Sequence, residues 1–209
     1  MTAQTQTLST SWQGLLQQIM QDSAQHARWL NTLSLLEHIG SRKIIKALDS
    51  NQLTLPLLSH ISEETRHALM FKQFAERVAP GLCPTYDAQH LLCGRQARDY
   101  IADLDNDTAA HLAGQGHSDP LLCYLCVTLL VEERATEIYA LYDHLLSRSN
   151  APIRLRAILN EEEKHLDDMH AHFDMLRFSW RDHAEALRAI ETRHFAQWTD
   201  ALSAELKAS

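Results

Sequence analysis

A Glu-x-x-His motif occurs at Glu64–His67 and again, half a chain later, at Glu162–His165. Each copy follows another glutamate, Glu63 or Glu161, and each has a basic residue just before its histidine, Arg66 or Lys164. On a helix, residues three apart leave the same face. Each copy therefore offers a carboxylate and an imidazole to one point. A single copy is weak, because Glu and His are common and a solvated helix face can look the same. Two copies constrain the fold. Only a chain that sets two helices face to face can use both.

The rest of the chain favours helix. Gly (6) and Pro (5) are few among 209 residues, and strong helix formers dominate. Periodicity predicts a short amphipathic segment at 11–21 and long helices at 23–49, 54–79, 120–148 and 152–178. A shorter helix is expected at 87–104 and a last amphipathic one at 181–207, with 106–120 as the loosest stretch. Asp119 and Pro120 read as an N-cap and first helical residue. Short turns at "DSNQ" and "RSNAP" make two antiparallel hairpins joined by a longer connection. The expectation is a single all-α domain over 1–209, with a four-helix bundle core at 23–178 and flanking helices.

Composition excludes some function classes. The net charge of -8, with histidine neutral, gives nucleic acid no basic footprint. No apolar run is long enough for a membrane span. The start "MTAQTQTLSTSW" has neither a basic region nor an apolar core, so no signal peptide is read and a cytoplasmic setting is expected. Cys123 and Cys126 form a C-x-x-C inside an apolar helical run, and Cys83 and Cys93 are not spaced as a second pair, so all four read as free thiols. Thirteen histidines are a large supply of the commonest metal ligand.

The first helix of each hairpin also carries acid among apolar positions. Glu37 shares a stripe with Leu30, Leu33, Ile44 and Leu48, where an unpaired charge is costly. The midpoint between Glu37 and Glu64 falls inside "DSNQ", so the two should face each other. In the second hairpin the candidates opposite Glu162 are Glu132, Glu133 and Glu137. Glu133 is favoured, since it shares a stripe with Leu122, Cys126, Leu129 and Ala140 and mirrors the Glu37–Glu64 separation. Glu137 is an alternative or neighbouring ligand, and Glu132 stays open.

This doubled set resembles the ferritin-like di-iron and di-manganese carboxylate superfamily, in which two helices each give a Glu and two others each give Glu-x-x-His. The resemblance spans about 25–175. It implies metal ligands at Glu37, Glu64, His67, Glu133, Glu162 and His165. It also implies two iron ions, with manganese the alternative, and an external electron donor. The implied activity is an oxygenase or oxidase acting on an apolar small organic or lipid-like substrate. Dioxygen, that substrate and a ferredoxin-type reductant are the implied partners, with a homodimer as an open assembly. The other branch of the superfamily comprises ferritin- and rubrerythrin-like storage or peroxide-detoxifying proteins. Around this set, Asp168 is one candidate to orient His165, and Glu161 and Glu163 read as solvated or supporting acids. His60, one turn before Glu64, reads as a satisfied core histidine, with lining the cavity as the alternative. Tyr139 and Tyr142 read as core aromatics with a hydrogen-bonding or radical role in reserve. His170, His172, His183 and His194 read as surface residues.

Overall fold

The computed structural model describes residues 3–47, 53–149 and 151–208, with side chains from Trp12 onward. Seven α-helices and no strand occur among them: α1 (Ala3–Gln21), α2 (Ser23–Ala47), α3 (Leu55–Val78), α4 (Gly94–Gly114), α5 (Pro120–Arg148), α6 (Arg156–Met175) and α7 (Trp180–Ala208). The expected turn at "DSNQ" lies outside the described residues.

Local chemistry accounts for the boundaries. Asp119 accepts a hydrogen bond from the Leu121 N–H, and Pro120 opens α5 where a missing N–H does no harm. Thr54 precedes α3, with Pro56 in its first turn. Some boundaries differ from expectation: α1 begins at Ala3 rather than 11, and α4 begins at Gly94 rather than 87. The stretch 106–120 is not loose along its whole length, because α4 runs on to Gly114. Leu104, Thr108 and Leu112 recur every four residues and are all buried, so packing outweighs the weak helix propensity of "DNDT". Only after Gly114 does the chain turn, with Gly116 at φ +84°.

The helices α2 and α3 lie antiparallel. Ser34 Oγ donates to the Ala68 carbonyl at 2.6 Å, and Lys72 donates to Asn31 Oδ1 at 2.6 Å one turn further along. The helices α5 and α6 form the second pair. Contacts of α2 with α5 and of α3 with α6 close the arrangement into a bundle. The remaining helices cover one flank. Trp12 of α1, Trp29 of α2, Tyr100 of α4 and Trp198 of α7 pack together, with ring centres 5.6 to 5.9 Å apart for Trp12–Trp29, Trp29–Trp198 and Tyr100–Trp198. Buried apolar side chains from all seven helices form one continuous core. None of the helices is long and apolar enough to cross a membrane, among the described residues. All four cysteines are free; Cys83, Cys93 and Cys126 are buried and Cys123 half-buried.

Candidate metal centre

Inside the bundle, seven acid and imidazole side chains from α2, α3, α5 and α6 converge. Ligand atoms of Glu37, Glu64, His67 and Glu162 lie within 4.8 Å of one another, and so do those of His60, Glu64, Glu132 and His165. Glu64 belongs to both groups. Glu162 also spans them: one oxygen is 3.1 Å from His67 Nδ1 and the other 3.2 Å from His165 Nδ1. All seven residues are buried, none more than 8% exposed.

Within each group the donor atoms crowd together. His60 Nε2 lies 3.3 Å from Glu64 Oε1 and 3.5 Å from Glu132 Oε1. Yet His60 Nε2, Glu64 Oε1 and His67 Nδ1 make no hydrogen bond among the described residues. Orphaned polar atoms in a core destabilise it, and buried charges do so more. Two divalent cations relieve both penalties, since four carboxylates balance their charge and imidazole completes the donor set. The residues therefore fit two metal ions.

Without metal, the acids and imidazoles must share protons. Burial disfavours a charged His67, but the Glu162 and Glu37 carboxylates close to its Nδ1 outweigh it and raise its pKa to about 11. Burial lifts Glu37 to about 7 against the pull of His67, with the charges of Glu64 and Glu162 adding to the rise. Glu132 is pushed well above the carboxylate range by burial and by Glu162 and Glu64. Glu162 is also opposed by burial, but hydrogen bonds with Glu132, His165 and His67 hold it low.

The outward nitrogens of the two motif histidines show a crossed arrangement. His67 Nε2 pairs with Glu161 of α6 at 2.7 Å, and His165 Nε2 pairs with Glu63 of α3 at 2.8 Å. The extra glutamate of each motif thus holds the histidine of the other. The basic residues cross as well: Arg66 meets Glu161 at 2.5 Å, and Lys164 approaches Glu63 at 4.0 Å. On the α2 side, the Tyr139 hydroxyl donates to Glu37 Oε1 at 2.5 Å. Gly40 matters for a related reason. A Cβ there would stand 2.9 Å from Glu64 Oε2, so only glycine lets that carboxylate lie flat against α2.

Five of the six expected ligands, Glu37, Glu64, His67, Glu162 and His165, come together as two overlapping groups. Glu133 does not join them. It is half-buried and forms a two-pronged pair with Arg188 of α7, 2.9 and 2.5 Å. Glu132 takes the inward place. The segment "LLCYLCVTLLV" is apolar on every face, so it sets no helical phase, and Ala140, placed on the Glu133 stripe, is exposed. Glu137 pairs with Arg134 at 2.5 Å, away from the cluster. Asp168 is not the partner of His165, because Glu63 has that role. His60 is more than a core histidine. Its one-turn spacing from Glu64 was the available signal, since residues four apart share a helix face. His194 is buried and pairs with Asp107 at 2.8 Å, so it is not a surface residue.

Beside the cluster lies a narrow cavity of about 90 Å³. Glu37, His60, Glu64 and Glu132 border it on one side, and Leu33, Val127, Val131, Ile138, Phe195 and Trp29 supply apolar wall. Lys43, paired with Asp105 at 2.5 Å, lines both this cavity and an outer groove containing Lys46 and Asp119.

No family model matches the chain, and neither do any curated proteins or solved structures.

Proposed function

We propose that the chain is a dinuclear non-haem metalloenzyme, of the ferritin-like carboxylate type, that uses dioxygen to oxidise an apolar small organic or lipid-like substrate. The observation that carries this reading is the opening of a buried four-glutamate, three-histidine cluster onto an apolar cavity. Carboxylate-rich sites with some imidazole suit iron and manganese. Bound there, two redox-active ions would supply the activation of dioxygen. Glu37, Glu64, His67 and Glu162 would hold one ion, and His60, Glu64, Glu132 and His165 the other. The chain's own contribution is to hold these groups and exclude water. Glu161 and Glu63 fix the outward nitrogens of His67 and His165, so that each ring presents Nδ1 inward. The apolar wall selects a substrate with few polar groups and brings it against His60 and Glu132. The Lys43–Asp105 pair marks the way in from the outer groove. A storage or peroxide-detoxifying protein has no need of such a cavity, which favours an organic substrate. Electrons would come from an external donor, because the chain carries no second C-x-x-C pair.

The test is anaerobic loading with Fe²⁺ or Mn²⁺, elemental analysis, and then exposure to dioxygen with the optical spectrum recorded. The expected result is close to two metal ions per chain and consumption of dioxygen. His67→Ala and His165→Ala should each bind less metal while keeping their helicity by circular dichroism. Full occupancy in both variants would remove the site, and stoichiometric metal inert to dioxygen would remove the activity.

A further inference from the structure

Three histidines outside the bundle centre also meet. His111 lies in the last turn of α4, His117 follows Gly116 in the turn beyond it, and His183 lies in the first turn of α7. His183 Nδ1 stands 3.4 Å from His111 Nε2. The His183 ring centre is 5.6 Å from that of His111 and 5.5 Å from that of His117. All three are half-buried, so a hydrated ion can reach them. Phe178, itself buried, stacks on His183 at 4.9 Å and meets His117 edge-on at 5.2 Å, fixing the group from behind.

The His183–His111 nitrogen separation is what a tetrahedral ion requires. Two imidazole nitrogens bound at about 2.0–2.1 Å, with a tetrahedral angle between them, stand roughly 3.4 Å apart. His117, on the turn after Gly116, stands farther off, and a rotation of its side chain would bring a third nitrogen to the pair. We propose that His111, His117 and His183 form a separate metal site for a zinc-class divalent ion, which clips the end of α4 to the start of α7. Three imidazoles without a carboxylate favour zinc over the iron or manganese suited to the buried cluster. The fourth position would be taken by water. None of these residues touches the buried cluster, so this site stands or falls without the oxygenase reading.

Equilibrium dialysis of the full-length chain against Zn²⁺, followed by elemental analysis, tests it. The comparison is between the unmodified chain, the His111→Ala/His183→Ala variant and the His67→Ala/His165→Ala variant. The unmodified chain should hold one more zinc than the first variant, and the second variant should retain that ion. Substituted Co²⁺ should give the intense visible bands of four-coordination in the second variant and lose them in the first. His117→Ala alone, a change confined to the turn, should weaken the same ion. Equal zinc in the unmodified chain and the His111→Ala/His183→Ala variant, with both folded by circular dichroism, overturns the proposal. So does persistence of the Co²⁺ bands in that variant.

Discussion

At the scale of single residues, the choice between Glu132 and Glu133 is the sharpest result. They are adjacent in sequence, but one helical step of about 100° separates their directions. Glu132 meets His60 and His165 in the core, whereas Glu133 reaches Arg188 at the surface. Glu132→Ala should therefore reduce metal content below two ions per chain. Glu133→Ala should leave metal content unchanged and alter stability by no more than about 1 kcal/mol, as expected of an exposed ion pair. Elemental analysis and chemical denaturation of the two variants check both statements. Equal metal loss in the two would return Glu133 to the ligand set. The favoured residue in the sequence was the wrong neighbour for a definable reason: α5 is apolar all round before "EER", and equal hairpin separations are a weaker constraint than packing.

At the scale of elements, the two Glu-Glu-x-basic-His segments of α3 and α6 act as a reciprocal clasp. Each supplies a ligand pair inward and a glutamate that holds the other's histidine. The leading glutamates are thus positioning residues, fixing a ring rather than binding metal. Glu63→Ala and Glu161→Ala should each lower metal affinity by about 10- to 100-fold. Glu63→Gln and Glu161→Gln, whose side-chain carbonyl still accepts from Nε2–H, should recover part of that loss. Competition with a metal chelator measures both. A purely surface role would leave affinity unchanged in all four variants. The paired glutamates were visible in the sequence, and so was the basic residue beside each histidine. Their crossing was not, because it depends on how two distant helices are set against each other.

At the scale of the whole molecule, the bundle places a site that must give up protons to take metal. Burial opposes charge on His67, but Glu162 and Glu37 prevail, so it holds a second proton at neutral pH; burial and neighbouring acids push Glu132 toward its protonated form as well. Both groups are raised, so both must lose a proton to ligate. Metal binding at pH 7 should therefore release protons, and affinity should rise with pH by about tenfold per unit for each proton displaced. Loading in weakly buffered solution with an indicator dye measures the release, and affinities at pH 6 and pH 8 give the slope. Binding that is independent of pH would mean that these groups are not the ligands.

The sequence by itself determined the helical architecture, most helix spans and five residues of the cluster. Spacings of three and four act within one helix, and the acids marked themselves by standing among apolar neighbours. Tertiary structure decided what depends on phase and contact between helices. It selected Glu132, brought His60 beside Glu64, crossed Glu63 and Glu161 between the hairpins, and extended α4 through a polar stretch. In each case the deciding energy came from burial against another part of the chain, which no local pattern contains.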